Sequence, residues 1–97
     1  MKFAAFKASI AKEKPPSGLP LGLQALWWDA KGDWNKAHEC AQAAKGMTGD
    51  WAHAYLHRKE GDEANAAYWY GRAGQQASTL GLAQEWEAMA RALLDAR

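Results

Sequence analysis

The 97-residue chain has a single cysteine, three prolines and two phenylalanines. One cysteine excludes an internal disulfide framework and suits a reducing compartment. Long apolar runs are missing too, and nothing approaches the roughly 18 residues of a membrane span. The opening stretch "MKFAAFKASIAKEK" interrupts its apolar residues at Lys7, which leaves too little for a signal-peptide core. Charge of one sign is absent: twelve Lys/Arg stand against eleven Asp/Glu, a formal net charge of +1. No uniform field therefore draws the chain to nucleic acid or to an acidic membrane. The basic run His57-Arg58-Lys59 is answered at once by Glu60 and Asp62. No segment sustains period-two alternation, which argues against a sheet. There is no glycine-rich phosphate loop, no Gly-x-Ser-x-Gly elbow and no Cys-x-x-Cys pair. No catalytic residue, resident metal or cofactor is assigned, and a familiar enzyme class is not indicated. The expectation is a cytoplasmic protein with no nucleic-acid or membrane partner.

What the chain has in quantity is indole. Six tryptophans and three tyrosines occur in one small domain, and each tryptophan can bury on the order of 150–250 Å². Core filling accounts for most of them, with the remainder available for a ligand wall or an interface anchor. Phe3, Phe6 and Ile10 share a helix face over residues 3–12. "KPPSGLP" then breaks the chain, and Pro20 suits the first turn of a helix running to about Lys31. Gly32 ends that helix and Asp33 caps the next, about 34–45, whose Ala37, Cys40, Ala41 and Ala44 lie on one face. Gly46 and Gly49 bracket a turn. A helix from about Asp50 to Glu60 stops at Gly61, Asp62 caps the following one (63–73), and Gly74 closes it. Finally "LAQEWEAMARALL" spaces Leu82, Trp86, Met89 and Leu93 on one helical stripe, with Glu85 and Glu87 facing solvent.

The chain repeats itself. Shifted by 29 residues, Ala25, Gly32, Asp33, Ala37 and Ala44 fall on Ala54, Gly61, Asp62, Ala66 and Ala73. Each unit is a helix, a Gly-Asp corner and a second helix with alanines for close packing. "ALWWDAKGDWNKAHECAQAA" and "AYLHRKEGDEANAAYWYGRA" in this form resemble the tetratricopeptide repeat over roughly residues 20–74. They depart from it in interval, since that repeat is about 34 residues long, in lacking a proline after each second helix, and in Glu63 at the second corner. The chain is also similar to short bacterial proteins with "AYLHRKEGD"-type and "YWYRRAG"-type stretches, a likeness that implies no activity. The expected fold is all-α: a single domain over 1–97, with an N-terminal arm and linker (1–19), antiparallel tetratricopeptide-like hairpins at 20–45 and 50–74, and a C-terminal capping helix at 80–97.

The resemblance implies a groove lined by the first helix of each unit: Leu26, Asp29 and Ala30, then Trp51, Tyr55 and Arg58. Such a face suits a protein or peptide partner, with aromatic anchors and charges of both signs. Surplus aromatic surface also allows a homodimer. The same register turns His53 and His57 toward the partner helix, beside Tyr68, Trp69 and Tyr70, where apolar residues belong. Asp50, His53, His57 and Glu60 form one polar stripe, and histidines four apart can reach one metal ion. There is no HExxH glutamate between them and no third ligand at a diagnostic spacing; His38 lies on another helix, from which tertiary packing could bring it to them. The structural alternative bonds each histidine to a tyrosine hydroxyl or an aspartate. Asp33 and Asp62 are explained by capping, and Cys40 by packing as a small hydrophobe. An interaction module leads. The alternative is a small-molecule or metal site at His53, His57 and Trp69, with hydrolysis as its chemistry.

Overall fold

The computed structural model describes residues 1–96 and contains six helices and, among the described residues, no strand. They are α1 (Phe3–Ser9), α2 (Leu21–Ala30), α3 (Trp34–Ala43), α4 (Met47–Lys59), α5 (Glu63–Ala73) and α6 (Leu82–Asp95). None is long and apolar enough to cross a membrane.

Two corners built alike turn α2 into α3 and α4 into α5. At the first, Asp33 N–H donates to Trp28 O at 3.0 Å and Gly32 N–H to Asp29 O at 2.9 Å. At the second, Asp62 N–H donates to His57 O at 2.9 Å and Gly61 N–H to Arg58 O at 3.1 Å. Both glycines take the left-handed backbone these stops require, with φ of 86° and 90°. Asp33 then accepts from Lys36 N–H, and Asp62 from Asn65 N–H, to open the next helix. Small residues let the hairpins close: Ala37, Ala41, Ala54, Ala66 and Ala73 are all buried. Cys40 on the same helix is half-buried, and burial raises its thiol pKa, so it packs as an unreactive hydrophobe.

Two local expectations are corrected. Helix α4 begins at Met47, so Gly49 lies in its first turn rather than in a loop. It is small because a Cβ there would stand 2.6 Å from the Ala44 Cβ. Glu85 does not face solvent. It is 2% exposed, on a helix whose Trp86, Met89, Ala90, Leu93 and Leu94 are also buried.

Helix α6 packs across α2 and α4, with α1 beside it. Trp86 stacks on Phe6 at 5.8 Å and donates its indole N–H to Leu26 O at 2.9 Å. Together with Leu23, Leu26, Trp27 and Leu56 these side chains form the main core. Each large apolar group that α6 buries contributes about 1.5–3 kcal/mol. The result leaves α4 in the middle of the domain: α3 and α5 pack on it from the hairpins, and α2 and α6 on its other side.

Candidate functional site

The histidines of α4 meet a third histidine that the sequence had left on a separate helix. His38 from α3 brings its Nε2 to 2.8 Å from His53 Nε2. One ring nitrogen of each of His38, His53 and His57 lies within 4.8 Å of the other two. The helical spacing of His53 and His57 explains half of this, since residues four apart sit one above the other. The α3–α4 packing supplies the rest. Their rings are closely nested: His53 lies parallel to His57 with centroids 4.9 Å apart, and His38 meets His53 edge-on at 4.5 Å. Indoles close both sides. Trp34 stacks on His38 at 4.8 Å and Trp69 on His53 at 3.9 Å.

Hydrogen bonds assign the proton positions. His57 Nδ1 is 2.6 Å from the Glu60 carboxylate, to which it donates. In the neutral tautomer this leaves the lone pair on Nε2, and the Asn65 amide nitrogen approaches that atom at 3.4 Å. Between His38 and His53 one Nε2 donates and the other accepts. The partners anticipated for the pair were a tyrosine hydroxyl or an aspartate; the structure supplies His38, Glu60 and Asn65 instead. Of the "YWY" segment only Trp69 reaches a histidine. Tyr68 is exposed, and Tyr70 turns to Glu85.

The electrostatics follow from crowding three basic groups. Burial first, then the neighbouring His38 and His57, lowers the His53 pKa to about 4. Burial and His57 also lower that of His38, partly offset by the carboxylates of Glu60 and Glu39. His38 and His53 are therefore held toward the neutral imidazole, the form that binds metal ions. Tetrahedral zinc at about 2.0–2.1 Å from each nitrogen places ligand nitrogens about 3.3 Å apart. The observed spacing runs from 2.8 Å to no more than 4.8 Å, so modest side-chain rotations reach it. Glu60 on the far nitrogen of His57 stands where a carboxylate would orient a metal-ligating imidazole and raise its basicity. His57 also lies in the last turn of α4, where the helix dipole favours positive charge.

The remaining candidates lie on the opposite side of α4, under or beside α6. Leu26 is fully buried. Asp29 accepts from Tyr55 O–H at 3.0 Å and pairs with Lys59 at 2.9 Å. Burial and Asp29 raise the Tyr55 pKa, so its hydroxyl remains a donor. Arg58 pairs with Glu85 at 2.7 Å and also donates to Leu80 O, while the Trp51 indole N–H reaches Glu85 at 3.4 Å. Ala30 is exposed at the edge of a cavity of about 550 Å³ shared with Lys7, Tyr55, Lys59 and Trp86. Of its charged lining residues, Asp29 pairs with Lys59 and Glu87 with Arg91. Sequence reasoning named His38 only as a histidine on another helix, placed Glu85 toward solvent, and gave Trp34 and Asn65 no part in the site. The aromatic corner Trp34 and His38 one turn later were the one available signal.

No protein-family model, no curated protein and no solved structure matches this chain.

Proposed function

We propose that this protein binds a divalent transition-metal ion, zinc being the best chemical fit, through His38, His53 and His57. The convergence of three imidazoles from two hairpins, with ligand atoms within 4.8 Å of one another, is the observation that carries this reading. Imidazole donors suit zinc, copper, nickel and cobalt, and disfavour magnesium and calcium. The bound ion ties α3 to α4 and thereby one hairpin to the next, so binding energy becomes folding energy. The chemistry available is that of a three-histidine centre, which supports Lewis-acid and hydrolytic steps.

The interaction-module reading, with its tetratricopeptide-like groove, has less support. Helix α6 already occupies the face formed by Leu26, Trp51, Tyr55 and Arg58, burying an aromatic and a carboxylate there as a peptide would.

Tryptophan emission provides the test, because Trp34 and Trp69 stack directly on two of the ligands. Titration with nickel or copper quenches it saturably at one ion per chain, and His53→Ala removes the response. Unchanged emission, or equal quenching in the variant, contradicts the proposal. Magnesium produces no effect.

A further inference from the structure

The geometry points to a vacant coordination position on the bound ion that takes a small monoanion, with Asn65 as the protein group that recognises it. This rests on the metal reading above. Three protein ligands are what the cluster offers: among the described residues no fourth histidine, cysteine or carboxylate joins His38, His53 and His57 within the same reach. The nearest carboxylate, Glu60, is committed to His57 Nδ1. A four-coordinate ion therefore keeps one position for an outside donor.

Asn65 identifies where that donor sits. Its amide nitrogen lies 3.4 Å from His57 Nε2, the nitrogen left for a metal because Glu60 holds Nδ1. Once Nε2 is taken, the amide loses its acceptor while remaining next to the ion. A ligand with two acceptor atoms satisfies both: one coordinates the metal, and the other accepts from Asn65. The Asp62 cap anchors the Asn65 backbone by accepting its N–H at 3.1 Å. His38, Trp34, Trp69 and Asn65 are all half-buried, whereas His53 and His57 are buried. The exposed edge of the cluster therefore lies on the side of α3 and α5. A ligand with one coordinating atom and one acceptor for Asn65 is a carboxylate or a triatomic anion.

The charges agree. Three neutral imidazoles leave a dication at full charge, and the carboxylates that act on His38, Glu60 and Glu39, stand outside the ligand set. A single negative charge at the vacant position is therefore favoured; Glu60 and Asp62 group with His57 alone, not with His38 and His53.

The experiment uses the full chain loaded with cobalt, whose visible absorption reports coordination directly. Cobalt gives the intense bands of a four-coordinate site, and their absence in His53→Ala establishes the ligand set. Azide and acetate each shift those bands saturably. Asn65→Ala keeps the cobalt spectrum and binds both anions about tenfold more weakly, the effect of one charge-assisted hydrogen bond. Asn65→Asp, which places a negative charge at the same point, loses the response altogether. A histidine-dependent spectrum that ignores both anions overturns the inference and leaves the metal reading intact. Equal anion affinity in Asn65→Ala removes Asn65 from the site. No histidine-dependent spectrum at all ends both proposals.

Discussion

Helix α4 carries polar groups on two faces, and they are resolved in opposite ways. Under α6, Glu85 collects Arg58 at 2.7 Å, the Tyr70 hydroxyl at 2.5 Å and the Trp51 indole at 3.4 Å. Beside it Asp29 collects Tyr55 and Lys59. Every buried charge there has an opposite charge, so the face is complete as it stands. Toward α3 and α5 lie three bases packed against one another, with one carboxylate among them at hydrogen-bonding distance. Burial and mutual repulsion lower the proton affinity of His38 and His53. A face of the first kind holds a helix in place; a face of the second kind has lone pairs to give to a cation.

The largest effect is expected where the complete face is broken. Glu85→Ala leaves half-buried Arg58, together with the Tyr70 hydroxyl, without its acceptor, and should cost about 3 kcal/mol. Urea denaturation measures it, and a loss below about 1 kcal/mol would place the network among weak surface pairs.

The incomplete face should respond to metal. Zinc at a hundred times its dissociation constant is expected to stabilise the protein by about 2.7 kcal/mol. His38→Ala should abolish that gain while changing the metal-free stability little, since His38 is only half-buried. The Glu85→Ala protein, if folded, should still gain from zinc, because its lesion is on the other face. Thermal unfolding with zinc or with chelator separates these cases.

Acid should weaken the metal-free histidine face. The folded-state pKa of His53 is about 4 against 6.5 for the free side chain. Between those values the unfolded chain binds more protons, so stability falls as pH drops below about 6.5 and levels off near 4. The groups facing His53 are His38 and His57, with Glu60 and Glu39 acting on His38. The loss is on the order of 2–3 kcal/mol in wild type and smaller in His53→Gln. A wild-type stability that is flat over this range would contradict the nested-histidine geometry.

The caps give the baseline. Asp33→Ala and Asp62→Ala should each cost about 1 kcal/mol, by equal amounts, with or without zinc. A markedly larger cost at Asp62 would tie that residue to the site through Glu60 and Asn65.

The corners were legible in the sequence because they are local. A glycine in left-handed backbone and an aspartate accepting from the residue three positions on are written in adjacent letters. The histidine pair was legible for the same reason, being one turn apart. His38 was not, since its meeting with His53 depends on how α3 docks on α4, a relation between positions 15 residues apart. Glu85 was misplaced because the stripe of α6 was taken as narrow. A helix crossing two hairpins buries a wider arc, from Glu85 and Trp86 through Ala90 to Leu94, and a carboxylate at its edge meets Arg58. Of the residues expected in a groove, Leu26, Trp51 and Arg58 bond to Trp86 or Glu85 of α6, contacts that no local spacing announces.

Equilibrium dialysis against zinc, followed by elemental analysis, tests the central claim most directly. Wild-type protein should retain one zinc per chain, and His53→Ala and His57→Ala should retain none while remaining helical by circular dichroism. Wild-type protein that retains no zinc, or variants that retain as much as wild type, would contradict it.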